Sequence, residues 1–183
     1  MTSPVKWSAR ALLIAAAAAA TPVFAVDKSF LVQNGSWGVF GNWAPLGAPT
    51  AADNVFIGNT AGAENGNVTL NINGNAANVV MTDGMEIFTN GNSLTVGGST
   101  SIAGRNQTPA NVVYYSRLRV QPGGGSYGFR TTNLTISDQA RLWIDGGTAR
   151  VDNLLDLQSD SWIDGDGVIN LYGNGAVAFR NNG

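Results

Sequence analysis

The chain has 183 residues, no cysteine, no histidine and a formal net charge of −2. Without histidine, Ser-His-Asp and Cys-His catalysis are impossible within it and the commonest transition-metal ligand is missing; without cysteine there is no disulfide framework. The acidic balance argues against nucleic acid as a partner, because phosphate binding needs clustered positive charge.

Positions 1–25 read as a secretory signal peptide. Lys6 and Arg10 give a basic start, positions 11–20 are apolar and alanine-rich, and Thr21-Pro22 breaks the run before Val23-Phe24-Ala25. Cleavage after Ala25 predicts export, to the medium or the cell surface. The alternative is an uncleaved anchor, although the apolar run is shorter than the ~20 residues a membrane span needs. The mature chain keeps 8 of the 10 basic and all 12 acidic residues, so its net charge is −4. Its size is that of one domain.

Residues 26–60 are aromatic and irregular, and predict an N-terminal cap with a first coil. Trp37, Phe40 and Trp43 suit plugging the open end of a repeat structure; the alternative is an aromatic binding platform.

Residues 61–183 alternate short apolar runs with turn signals. The runs include 68–72, 94–96, 118–120, 134–136, 142–144 and 155–157, and alternation at period two predicts half-buried strands. Asn73-Gly74, Asp83-Gly84, Asn90-Gly91, Asp145-Gly146 and Asp164-Gly165 supply turns. Charged residues are only 12% of the chain, so its polarity rests on Asn, Ser, Thr and Gly, and no mature segment has helical periodicity. Spacing favours a solenoid over hairpins. Val120 and Ile144 recur as equivalents, as do Gly147 and Gly167, and Trp-Ile-Asp-Gly occurs at 143–146 and again at 162–165. Such intervals, roughly 20–25 residues, are a repeat signature. The expectation is an all-β, right-handed parallel β-helix, with an antiparallel β-sandwich as the alternative. In this reading the two tetrapeptides are one rung: Ile144 stacks on Ile163, and Gly146 and Gly165 turn the same corner.

Trp37, Trp43, Pro49 and Asp53-Asn54-Val55-Phe56-Ile57, followed by Leu94-Thr95-Val96-Gly97-Gly98, resemble the N-terminal portion of exported bacterial β-helix proteins. These include autotransporter-like passengers and the repeat proteins that carry a PEP-CTERM sorting signal. The resemblance implies a surface or extracellular-matrix role. The chain has no Pro-Glu-Pro motif, no terminal membrane span and no β-barrel, so the resemblance carries no mode of anchoring.

Two site hypotheses follow from the residues. In Trp-Ile-Asp, alternation puts Ile inward and Trp outward, so Trp143 and Trp162 are expected one above the other on the surface. Arg119 is expected on the same ladder. Stacked aromatics beside arginine suit sugar rings or a partner protein. The alternative is that both tryptophans pack under residues 105–116 or under a C-terminal continuation. Separately, Asp156, Asp160, Asp164 and Asp166 supply the oxygen ligands calcium favours, but at no known calcium-loop spacing. No catalytic set is expected. The reading is an exported structural or adhesin-like protein contacting glycans or surface proteins, with end-to-end self-association open to it. A polysaccharide-active enzyme or carbohydrate-binding module is the alternative.

Overall fold

The computed structural model describes residues 25–58, 65–107, 112–123, 125–158, 160–173 and 178–181. The signal-peptide reading falls on positions 1–25 and lies outside the described residues, Ala25 excepted. The described chain is all-β, with a single short 3-10 turn at Phe40–Asn42. No described helix is long and apolar enough to cross a membrane.

An eleven-stranded sheet curls into an open half-barrel beside a six-stranded sheet, and Arg105–Gln107 with Val112–Tyr114 forms a separate two-stranded ribbon. In the smaller sheet, Asn34–Ser36, Asn67–Thr69, Glu86–Phe88, Arg117–Val120, Arg141–Ile144 and Trp162–Gly165 lie side by side in chain order. Every ladder in it is parallel. The larger sheet holds two runs. One follows Asp27–Phe30, Asn54–Ile57, Asn78–Met81 and Ser99–Ala103 into the C-terminal halves of Phe129–Ser137 and Thr148–Leu157. The other follows Gly74–Ala76 and Leu94–Val96 into the N-terminal halves of those two long strands, then Val168–Leu171. Outside the ribbon, the described antiparallel pairing is Asp27–Phe30 with Trp43–Ala44. Asn-Gly and Asp-Gly turns therefore join strands of different runs instead of closing the hairpins of a sandwich.

Parallel pairing stacks like on like. Val55 partners Val79, Val79 partners Thr100, Thr100 partners Leu134 and Leu134 partners Leu155, all inward and all buried. Across the core, Val68, Ile87, Leu118 and Leu142 form the matching column of the smaller sheet. Each such apolar side chain, moved from water to the interior, contributes about 1.5–3 kcal/mol, and with no disulfide these columns are what hold the sheets together.

The aromatic segment 37–43 divides. Trp37 and Trp43 are fully buried and meet edge-on at 5.2 Å between ring centres, and Phe30 meets Trp43 the same way at 5.0 Å. The Trp43 indole Nε1 donates to the Trp37 carbonyl at 2.8 Å. These three rings fill the first rungs, as a plug would. Phe40 does not join them. It stands on the 3-10 turn with 68% of its surface exposed, so the expected three-ring plug uses Phe30 in its place. The turn reverses the chain between the two tryptophans and leaves its middle residues on the outside.

The tetrapeptide repeat is staggered. Arg141 partners Trp162, Leu142 partners Ile163, Trp143 partners Asp164 and Ile144 partners Gly165. The spatial register is thus slipped by two positions from the register that the repeated letters suggest. Trp143 does not lie over Trp162, Ile144 does not stack on Ile163, and Gly146 and Gly165 do not turn one corner. The register is set upstream: Ile136 already partners Leu157, beyond the bulge between Thr131 and Asn133, and the turns that lead from there to Arg141 and to Trp162 are equal in length. An even slip keeps every side chain on its face, so the tryptophans remain outward. The glycines that do stack are Gly147 and Gly167. A Cβ on Gly167 would overlap both the Gly147 carbonyl oxygen and Ile144 Cγ2.

One margin of the larger sheet carries a relay of amides. Asn54 Nδ2 donates to Asp27 Oδ1 at 2.9 Å, and Asn78 Nδ2 to Asn54 Oδ1 at 2.9 Å. The Ser99 backbone N–H donates to Asn78 Oδ1 at 2.8 Å, Asn133 Nδ2 to Ser99 Oγ at 3.2 Å, and Asn153 Nδ2 to Asn133 Oδ1 at 2.8 Å. Six successive rungs are linked in this way, which gives the abundant Asn of the chain a structural use.

Candidate functional site: the outer face of the smaller sheet

The outward positions of the smaller sheet form two parallel rows. One reads Asn34, Asn67, Glu86, Arg117, Arg141, Trp162; the other reads Ser36, Thr69, Phe88, Arg119, Trp143, Asp164. Alternation alone produces them, because Val68, Ile87, Leu118 and Leu142 take the inward places between. Arg119 does share the ladder of Trp143, as the repeat interval between them leads one to expect.

Trp143 is half-buried beneath two guanidinium groups. The Arg117 and Arg119 guanidinium carbons stand 4.7 and 4.8 Å from its ring centre. Each arginine is held in turn by a carboxylate. Arg117 donates Nε and Nη2 to the two oxygens of Glu86, a buried residue, and Arg119 donates Nε and Nη2 to Asp145 Oδ2. Arg119 also meets an aromatic on its other side, its direct partner Phe88, whose ring centre lies 5.6 Å from the guanidinium carbon. Trp143 is therefore a packed member of this face, and its ring is covered.

Trp162 differs. It is 42% exposed, and Tyr115, 51% exposed, meets it at 5.8 Å between ring centres with the planes inclined at 59°. The Arg141 guanidinium carbon is 6.0 Å from the same indole, and Asp164 lies 3.6 Å from Arg141 Nη1. Tyr115 sits between the ribbon and Arg117–Val120, so the segment expected to cover the tryptophans sends one ring to one of them. Tyr115, Arg117 and Arg141 were not among the site residues expected from sequence. Arg117 and Arg141 lie on the same two strands as Arg119 and Trp143 and recur at the same interval, which is the signal that finds them. Tyr115 follows an irregular connection and has no such signal.

Charges on this face balance. Arg117, Arg119 and Arg141 are matched by Glu86, Asp145 and Asp164. What remains open to solvent is an uncharged aromatic angle, Tyr115 against Trp162, with amphipathic rims.

The four aspartates considered for calcium do not converge. Asp156 faces outward in the larger sheet beside Thr135 and accepts from Gln158 Nε2. Asp160 occupies a turn with φ of +56°. Asp164 accepts from the Gly165 N–H and neighbours Arg141, and Asp166 accepts from the Gly146 N–H at 2.8 Å. Among the described residues, no three acidic groups are placed to hold a metal ion. The physical reason is that Asp164 and Asp166 are employed in accepting from turn N–H groups, at Gly165 and at Gly146.

Compared with protein-family models, with curated proteins and with solved structures, the chain matches none.

Proposed function

We propose that this chain is an exported right-handed parallel β-helix of structural or adhesin-like role, contacting glycans at a surface or in an extracellular matrix. Contact is made through the angle between Tyr115 and Trp162. The β-helix reading is supported by the wholly parallel smaller sheet and by rungs that recur along the chain in register. The single observation that carries the binding reading is the exposed Tyr115–Trp162 pair beside Arg141. Aromatic rings inclined to one another offer apolar faces for the C–H side of a sugar, and the nearby ion pair offers hydrogen bonds to its hydroxyls. Local charge balance favours an uncharged saccharide on this face.

The protein acts by display, not turnover. That reading is supported by the engagement of Glu86, Asp145 and Asp164 in ion pairs with arginine. The test is a glycan-array screen with the wild-type chain, followed by Trp162→Ala and Tyr115→Ala. The expected result is retention of neutral glycans by the wild type and at least tenfold weaker retention by either variant. Binding that survives both substitutions would refute the site, and sugar release by the wild type would refute the display role.

A further inference from the structure

A second cluster lies on the other strand run, outside anything considered above. Arg130 and Arg150 are register partners on adjacent parallel strands, both outward. Two guanidinium groups side by side repel, and Asp152 bridges them: Arg150 Nε donates to Oδ1 and Arg130 Nε to Oδ2. Two cations and one anion leave an excess of one positive charge in a chain that is acidic overall. Tyr172 lies against Arg150, with the guanidinium carbon 4.1 Å from its ring centre, and Tyr127 lies at 5.3 Å. Arg150 Nη1 donates to the Tyr127 hydroxyl at 3.4 Å, and among the described residues no acceptor takes its Nη2. Arg150, Asp152, Tyr172 and Gly173 line an open cleft of about 290 Å³, the volume of a small ligand site.

We propose that this cleft binds a carboxylate-bearing saccharide, with the carboxylate on the unused edge of Arg150, the charge of Arg130 on the adjacent strand, and the sugar ring against Tyr172. The guanidinium of Arg150 is held flat by its aromatic neighbours and by Asp152, so its free edge is presented without loss of side-chain freedom on binding. A planar fork of that kind matches a carboxylate in a paired geometry that a lysine cannot offer. Asp152 offsets one of the two arginine charges and leaves the other uncompensated. The rim of Tyr172, 44% exposed, offers an apolar surface at the distance of a ring from the charge. The site is independent of the Tyr115–Trp162 angle and survives if that reading fails.

The experiment is calorimetric titration of the full chain with a galacturonate trimer, with the neutral galactose trimer as comparison. The expected result is binding of the acidic trimer alone, weakened by added salt as an ion contact is. Arg150→Gln should weaken it at least tenfold. Asp152→Asn keeps the shape, frees both arginines and should tighten it several-fold, a gain that damage to the fold does not produce. Trp162→Ala should leave it unchanged. No binding of the acidic trimer to the wild type, equal binding of the neutral one, or weaker binding by Asp152→Asn would each overturn the proposal.

Discussion

The Arg141 guanidinium stands 6.0 Å from the Trp162 ring centre, and the two residues are direct partners on adjacent parallel strands. Trp143, in the neighbouring outward row, has two such guanidinium neighbours, both closer. The two tryptophans of the repeated tetrapeptide thus have different work. Trp143→Ala should lose two cation–π contacts at about 0.5–1 kcal/mol each, plus the apolar burial beneath them. The total expected by urea denaturation is about 2 kcal/mol. Trp162→Ala should cost under about 1 kcal/mol, since a single distant contact and partial burial are lost.

Gly167 is a packing requirement. Its place against the Gly147 carbonyl and Ile144 leaves no room for a methyl group. Gly167→Ala should destabilise the chain by about 1–3 kcal/mol, the usual range for forced overpacking, and lower the melting temperature. Gly91→Ala also strains a positive φ, but its Cβ would meet no atom within 4 Å, and it should cost less.

Asn133 connects two links of the amide relay, donating to Ser99 and accepting from Asn153. Asn133→Ala should cost about 1–2 kcal/mol, the net worth of two ordinary hydrogen bonds. Asn133→Asp keeps the acceptor and removes the donor, so its cost should fall between. Equilibrium unfolding of the three chains checks the order.

Burial raises the carboxyl pKa of Asp152, but hydrogen bonds from Arg150 and Arg130 outweigh it and hold the group below its usual value. The folded pKa is depressed, so the stabilisation is fully present above the unfolded value of about 3.9 and is lost as pH falls through the folded one. Acid unfolding of Asp152→Asn, compared with wild type, should lose that part of the dependence below about pH 4.

Tyr127 ionises below the usual phenol value because Tyr172 donates a hydrogen bond to it and Arg150 stands beside it; Tyr172 is raised by the same contact. Ultraviolet titration at alkaline pH should therefore show an early phenolate that disappears in Tyr127→Phe. An unchanged titration curve in that variant would contradict the assignment.

The all-β class was legible because period-two alternation and the scarcity of helix-forming residues point the same way. The parallel pairing of Arg119 with Trp143 was legible too, since their strands fall one repeat interval apart and carry the same Arg/Leu-type alternation. The rung joining Arg141 to Trp162 was not. There the repeated letters suggested one register, and the pairing already fixed at Ile136–Leu157, carried through turns of equal length, set another. Letters record what a strand is made of, but the pairing of the strand before it decides which residue it meets, and that pairing steps by one residue at the bulge between Thr131 and Asn133. Phe40 misled for a related reason: its hydrophobicity is plain, but the 3-10 turn that aims it outward has no apolar period to betray it. The Arg130–Asp152–Arg150 cluster went unread because Arg130 lies on the strand next to the one that carries Arg150 and Asp152, Tyr172 follows a third strand, and the group has no motif.

The amide relay has an evolutionary corollary. Each link joins a residue to a chemically similar one on the next strand, and most of its members are uncharged. A link between two asparagines does not depend on how many rungs lie on either side. Duplication or deletion of a segment as long as the interval from Arg141 to Trp162 would remove one link and re-form an equivalent one. Growth by gene-internal duplication is thus open to this architecture at little energetic penalty, and its length is the dimension along which descendants are freest to diverge.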